Sequence, residues 1–140
     1  MKGDKLKSIY AFIDASNVWA AQKIKGKFFD FEKLKKFIKE KYTANSVEVF
    51  YYDEKGNMDV EMTIDAVHHK NKYDTALIFS GDSDFLALVN YLKTDGKKIY
   101  IYSSKNNISE ELRTGGDGYI DVLKIQEDIW GRELKYRSEK

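Results

Sequence analysis

The chain has 140 residues, a net charge of +1 and 34% charged residues, which fits one globular domain with a single core. It contains no cysteine, which excludes disulfides, thiolate metal sites and a cysteine nucleophile and favours a reducing, cytoplasmic location. No apolar run is long enough to span a bilayer and no secretion signal is recognisable, so no membrane partner is expected.

The amino-terminal part of the chain is predicted to form a strand, a helix and a second strand. Ile9–Ile13 is an apolar run typical of a buried strand, and it ends at Asp14. Val47–Tyr52 is β-branched and aromatic, and is predicted as the second strand. Between these strands, apolar residues recur at helical spacing, with lysines on the opposite face. They are Phe31, Leu34, Ile38 and Tyr42.

The middle of the chain repeats this alternation. After the break at Gly56 and Asn57, a helix is predicted that carries apolar residues at Val60, Ile64 and Val67. Ala76–Phe79 is predicted as the third strand. A helix follows it and is expected to stop at Gly96. Its apolar residues are Phe85, Leu88, Val89 and Leu92.

The carboxyl-terminal part completes the predicted sheet. Lys98–Tyr102 is the fourth predicted strand and is followed by a short helix around Ser109–Arg113. Tyr119–Leu123 is predicted as a short fifth strand that leads into a last helix. We expect one domain over residues 1–130, followed by a loose, charged tail over residues 131–140.

Strands that alternate with helices predict a three-layer α/β/α sandwich with a mainly parallel central sheet, of the Rossmann-like kind. The continuous apolar character of the strands agrees, because parallel sheets are covered on both faces. Ligands of such sheets bind beyond the carboxyl ends of the strands, near a switch in strand order. This edge is therefore where chemistry is expected.

Four aspartates are predicted at this edge of the sheet. Asp14 ends the first strand, Asp82 and Asp84 follow the third strand, and Asp59 opens the helix after the second strand. Each aspartate alone is explained as a helix cap. Together, converging carboxylates repel one another, and a divalent cation with hard oxygen ligands, Mg²⁺ or Mn²⁺, relieves that repulsion.

Three segments resemble the signatures of the NYN domain family, in its LabA-like branch within the PIN-like nucleases. They are Phe12-Ile13-Asp14-Ala15-Ser16-Asn17, Lys55–Asp65 and Phe79-Ser80-Gly81-Asp82-Ser83-Asp84-Phe85. The similarity extends from about Ile9 to Leu123. Ala15 stands where glycine is common in the family, which is a small departure.

This resemblance implies a ribonuclease in which Mg²⁺ or Mn²⁺ activates water to hydrolyse RNA phosphodiesters. It implies that Asp14, Asp82 and Asp84 are metal ligands, that Asp59 completes the acidic pocket and that Asn17 orients a ligand or phosphate. A second tier of expected site residues consists of Asp65, Asp117, Ser16 and Ser80. The expected oligomeric state is a monomer or a homodimer.

Basic residues suggest where RNA approaches the protein. Residues 1–41 contain 11 lysines and five acidic residues, a local balance of +6, which suits a polyanion but also suits solvated helix faces. Candidate RNA contacts are Lys23, Lys25 and Lys27, which precede Phe28 in a predicted loop, and Lys55. Trp19, Phe28 and Phe29 are alternatively base-stacking residues or core residues.

Two other functions fit parts of the pattern. Gly81-Asp82-Ser83 is similar to the last acidic motif of HAD-type phosphatases. That family needs a DxD arrangement after the first strand, and Asp14 is followed here by Ala15 and Ser16. The other alternative is a non-catalytic module that binds RNA or a partner through the same pocket.

Overall fold

The structure, a computed structural model, describes residues 7–53, 57–125 and 127–134. Its central sheet has five parallel strands in the order β3-β1-β4-β5-β6. A separate pair of short antiparallel strands, β2 and β7, lies beside it. The strands are β1 Ser8–Asp14, β2 Lys27–Phe29, β3 Ser46–Tyr52, β4 Thr75–Phe79, β5 Lys98–Ser103, β6 Gly118–Asp121 and β7 Trp130–Glu133.

Helices cover both faces of the sheet, so the predicted three-layer α/β architecture is confirmed. One buried cluster packs Val18 and Leu34 against the sheet, and the other packs Met62, Leu88 and Leu112 against the opposite face. The helices are α1 Ala15–Lys25, α2 Phe31–Lys41, α3 Met58–His68, α4 Leu86–Thr94 and α5 Glu110–Gly115. No helix in these described ranges is long and apolar enough to cross a bilayer.

The strand order creates a switch point between β1 and β4. The chain passes from β1 to its neighbour β3 on one side and then returns to add β4 on the other side. Connections leave these two strands in opposite directions, which opens a crevice at their carboxyl ends. Ile13 is paired with Phe79 in the register of β1 and β4. The residues that follow, Asp14 and Ser80, are therefore neighbours at the crevice.

The buried face of α3 differs from the one that its sequence predicts. Val60 and Ile64 are 51% and 60% exposed, whereas Met62 and Ala66 are fully buried. Met62 and Ala66 belong to the buried cluster that contains Phe12 and Tyr52 of the sheet, where a small and a flexible side chain suit close packing against aromatic rings. The apolar stripe expected at Val60, Ile64 and Val67 was therefore wrong for its first two members.

The predicted last helix is also wrong for the described residues. After β6 the chain makes one 3₁₀ turn, Val122–Lys124, and then forms β7, which pairs with β2. The fully buried side chain of Trp130 explains this path. Its indole Nε1 donates to the Ile125 carbonyl at 3.0 Å, and its ring meets the Phe29 ring at 4.7 Å.

Regular structure extends into the segment from residue 131 onwards, where the sequence predicted a loose tail. Residues 131–133 belong to β7, and the Leu134 amide donates to the Gly26 carbonyl at 2.9 Å. Residues 135–140 of the expected tail lie outside the described residues. The loop predicted for Lys23, Lys25 and Lys27 was wrong as well, because the first two end α1 and the third begins β2.

Candidate functional site

Asp14 forms the floor of a cleft at the switch point. It is only 5% exposed, and its carboxylate accepts three hydrogen bonds. Oδ1 accepts from the Ser16 amide at 3.0 Å and the Ser16 hydroxyl at 2.8 Å, and Oδ2 accepts from the Ser80 hydroxyl at 3.1 Å. Because a carboxylate has about four acceptor positions, these bonds leave one, on Oδ2. The residue is thus both the cap of α1 and a fixed acid in the cleft.

The loop after β4 forms the opposite wall of this cleft. Ser80 is fully buried and links the two acids, because its Oγ bonds to Asp14 and accepts from the Asp82 amide at 3.2 Å. The Asp82 side chain is exposed, and its Oδ1 accepts from the Asp84 amide at 2.9 Å. The fixed acid and the exposed acid therefore face the same space.

Gly81 is required where this loop meets the turn after β5. A Cβ atom added there would lie 1.6 Å from the carbonyl oxygen of Asn107. The Ser109 amide donates to the Gly81 carbonyl at 2.9 Å, which joins the two loops. The backbone contact sets the width of the cleft, whose volume is about 280 Å³. Its lining residues are Asp14, Ser16, Asn17, Ala20, Ser80, Gly81, Asp82 and Asn107.

A polar chain from the end of β5 was not anticipated from the sequence. The Asn17 side-chain amide donates to the buried Ser103 hydroxyl at 2.9 Å, and that hydroxyl donates to the Asn107 carbonyl at 3.3 Å. The Asn107 side-chain amide in turn donates to the Ser104 hydroxyl at 2.8 Å. The signal for these residues was the polar sequence directly after a predicted strand, at the edge where ligands bind.

The other two principal aspartates lie in a neighbouring groove of about 200 Å³. Asp59 and Asp84 line it together with Val60, Thr63 and Ile64. Among residues 7–53, 57–125 and 127–134, no three Asp, Glu or His side chains converge closely enough to hold a metal ion. The sequence predicted one cluster of four carboxylates, and the structure instead divides them into two pairs, joined through the Asp82–Asp84 hydrogen bond.

The second-tier residues have separate locations. Ser16 and Ser80 contact Asp14 directly. Asp65 lies on α3 and accepts a hydrogen bond from the Tyr52 hydroxyl at 2.6 Å. The pKa of Tyr52 is raised mainly by burial and, to a smaller extent, by this hydrogen bond. Asp117 lies at the amino end of β6, where it accepts from the Ile99 amide at 2.8 Å. It is therefore at the edge of the sheet opposite the cleft.

The candidate RNA-binding lysines lie away from the acids. Lys23 is nine positions after Asp14, which corresponds to roughly 14 Å along the helix axis. The Lys25 ammonium lies 5.6 Å from the centre of the Trp130 ring, and Lys27 pairs with Glu127 at 3.2 Å. Lys55 lies outside the described residues.

The donor set of the cleft fits a hard divalent cation. Asp14 and Asp82 supply carboxylates, Ser16 and Ser80 supply hydroxyls, and Asn17 supplies an amide. Magnesium sites in proteins are commonly built from one or two carboxylates, with retained waters and substrate phosphates as the other ligands. A cleft with two carboxylates and only oxygen or amide donors meets that description, without a third acid.

Comparisons with known proteins bear on the family and the fold. The family model of the NYN domain matches residues 41–124. The low amplitude and bright protein LabA of Synechococcus elongatus is 25% identical, in an alignment that covers 84% of this chain and 85% of that protein. A crystal structure of a protein of unknown function from Vibrio parahaemolyticus has a TM-score of 0.68 at 21% identity. It covers 93% of this chain and 99% of its own, which supports the fold alone.

The chain belongs to the NYN domain family, in its LabA-like branch, and thereby to the PIN-like nucleases. Asp59, Asp82 and Asp84 lie inside the matched segment, and Asp14 and Asn17 precede it.

Proposed function

We propose that this NYN-family protein is a ribonuclease that depends on Mg²⁺ or Mn²⁺ and whose active site is the cleft between β1 and β4. The observation that carries the proposal is the environment of Asp14. A carboxylate that is 5% exposed is costly to bury unless it is well hydrogen-bonded or bound to a cation. Here it is held by three donors at the switch point, with one acceptor position left and Asp82 opposite.

Each residue of the cleft has a proposed role. Asp14 and Asp82 hold the cation, which when bound lowers the pKa of water and neutralises charge on the phosphate. Ser16 and Ser80 fix the orientation of Asp14. Asn17, oriented by Ser103, directs its amide group toward a ligand or phosphate. Asp59 and Asp84 extend the acidic surface into the adjacent groove.

The proposed substrate is RNA, and the proposed location is the cytoplasm, which the absence of cysteine favours. Lys23 and Lys25, roughly 14 Å or more along α1 from Asp14, would contact phosphates beyond the one being cleaved. Lys27 is a weaker candidate because it is paired with Glu127. Lys55 remains a prediction from the sequence.

The decisive experiment is cleavage of a labelled RNA in the presence of Mn²⁺ or Mg²⁺. Asp14→Asn and Asp82→Asn should each lower the rate by at least about 100-fold, which is the scale of losing a principal electrostatic group. Asp95→Asn is the matched control, because Asp95 ends α4, far from the cleft, and pairs with Lys70. Cleavage that survives Asp82→Asn would refute the proposal.

A second candidate function is RNA binding without cleavage. The observation that favours it is the division of the four acids into two grooves. In that case the protein cleaves no RNA with any divalent metal tested, and Asp82→Asn strengthens RNA binding because the repulsion between the protein and the RNA phosphates falls. Nuclease activity that is abolished by the same substitution would exclude this alternative.

A further inference from the structure

We propose that the protein selects single-stranded RNA by stacking unpaired bases on an aromatic groove next to the cleft, an inference that rests on the proposed function. The groove has a volume of about 460 Å³. It is lined by Phe28, Phe29, Asp30, Phe31, Gly131 and Arg132. With Tyr51, which touches Phe31, these residues form what we call the aromatic groove.

Two of its rings are partly exposed to solvent. Phe31 is 38% exposed and Tyr51 is 52% exposed. Their rings meet edge to face at 5.5 Å, and Phe29 supports Phe31 from below at 6.4 Å. Edge-to-face packing holds the two rings against each other, and a base would stack on their exposed parts.

The aromatic groove is adjacent to the proposed active site through the sheet. Tyr51 is paired with Ile13, and Asp14 is the next residue of β1. Asp14 itself pairs with Tyr52, so the Cα atom of Tyr51 lies diagonally from that of Asp14, roughly 6 Å away for a strand spacing of about 4.8 Å and a rise of about 3.3 Å per residue. An RNA strand can therefore place a base on Tyr51 and Phe31 while a neighbouring phosphate reaches the cleft.

The charges of the groove suit a nucleic acid. The Arg132 guanidinium lies 4.4 Å from the centre of the Phe28 ring, and its side chain is exposed. Arginine planes and aromatic rings both stack on bases, and arginine also attracts phosphate. Lys33 adds a positive charge nearby, where it donates to the Trp130 carbonyl at 2.8 Å. Asp30 is occupied as the cap of α2, because its Oδ1 accepts two backbone amides.

The occupant is predicted to be single-stranded because bases in a duplex are already stacked on each other. A ring can reach the face of a base only where the base is unpaired. Stacking on aromatic residues also tolerates any sequence, since every base has a flat face. The structure therefore predicts weak preference for sequence and strong preference for unpaired RNA.

The test is binding of a fluorescein-labelled 12-nucleotide RNA, single-stranded or in a duplex, with metal chelated so that no cleavage occurs. Tyr51→Ala and Phe31→Ala should each weaken single-strand binding by about 5- to 100-fold, the range found for loss of one stacking residue. Tyr51→Phe keeps the ring and should retain affinity. Tyr91→Ala is the matched control, because Tyr91 is a 46% exposed tyrosine on α4 and should change affinity less than twofold.

Several results would overturn the inference. The first is equal binding of duplex and single-stranded RNA, and the second is unchanged affinity of both alanine variants. The third is changed self-association of the variants with unchanged RNA binding, which would make the groove a contact between copies of the chain. Melting curves identify variants that misfold, and Tyr51→Leu and Phe31→Leu, which keep an apolar side chain but lose the ring, then repeat the test. If RNA binds through the groove but is never cleaved, the proposed nuclease function fails and this inference stands. If Tyr51→Ala cleaves RNA as well as the unmodified protein does, the nuclease function stands and the inference about the aromatic groove fails.

Discussion

Replacement of Ser80 by alanine is the sharpest test of how the site is built. The Ser80 hydroxyl is fully buried and makes two hydrogen bonds, one to the Asp14 carboxylate at 3.1 Å and one from the Asp82 amide at 3.2 Å. Ser80→Ala removes both bonds and leaves one oxygen of a buried carboxylate without its donor. The substitution changes no charge and adds no volume, so its effect reports the hydroxyl alone.

The expected loss of stability follows from these contacts. A hydrogen bond to a charged group contributes about 1.5–3 kcal/mol and a neutral one about 0.5–1.5 kcal/mol. The first distance lies just beyond the usual range for a bond between two oxygens and the second at the long end of the range for an amide donor, which favours the lower half of each interval. Because Asp14 is 5% exposed, water replaces the lost donor poorly. We therefore expect the free energy of unfolding to fall by about 2–3 kcal/mol.

Urea unfolding followed by tryptophan fluorescence measures this loss, with the buried Trp130 as a reporter of the core. For a slope of about 1–3 kcal/mol per molar urea, the midpoint should fall by about 0.7–3 M. Ser83→Ala is the matched control. Ser83 is exposed in the same loop, and its replacement should change stability by less than about 0.5 kcal/mol. Equal midpoints for the Ser80 variant and the unmodified protein would show that the Ser80 hydroxyl does not support the buried Asp14 carboxylate.

Two further predictions concern stability. Gly81→Ala should lower the free energy of unfolding by about 3 kcal/mol or more in thermal melting, because the new Cβ atom would lie 1.6 Å from the Asn107 carbonyl oxygen. Gly96→Ala is the control: a Cβ atom meets open space there, and the φ of +87° alone should cost only about 1–2 kcal/mol. Burial raises the pKa of Tyr42 from 10 in the unfolded chain to about 12 in the folded protein. The neutral tyrosine therefore contributes stability that is complete below pH 10 and is lost as the pH rises to 12. Urea unfolding between pH 9 and 12 should show this decline in the free energy of unfolding, and Tyr42→Phe should make the decline shallower.

The sheet and the position of its reactive edge were predictable because their signals are local. A strand covered on both faces is apolar throughout, and each of the five predicted strands coincides with a strand of the sheet within a few residues. Asp14 and the loop after β4 follow directly from where two such strands end. The rule that ligands bind at carboxyl ends then brings these segments together without knowledge of side-chain contacts.

The small sheet was missed because it depends on contacts far apart in the chain. β2 and β7 have three and four residues, too few for a periodic pattern, and Lys27 pairs with Glu133 more than 100 positions later. Neither segment looks like a strand on its own. The burial of Trp130 against Phe29 stabilises the pair, and no local preference indicates that this tryptophan lies in the core rather than on the surface.

The division of the acids into two grooves was not predictable either, because it depends on side-chain direction around one turn. Asp82 and Asp84 are two residues apart, on either side of the start of a 3₁₀ turn that Asp82 caps. That turn directs Asp82 toward Asp14 and Asp84 toward Asp59. Sequence spacing alone is equally compatible with both carboxylates entering one cleft.

The two acids of the cleft differ in how firmly they are held, and this difference bears on how a cation would act. Three donors fix Asp14 before any ligand arrives, so its orientation costs no further side-chain entropy on binding. Asp82 is exposed and its carboxylate accepts only the Asp84 amide among the described contacts. A cation would therefore find one ligand in place and would order the other. The Asp82 carboxylate also accepts from the Asp84 amide, so the two pairs of acids are connected through the backbone of the turn even though they do not share a single site.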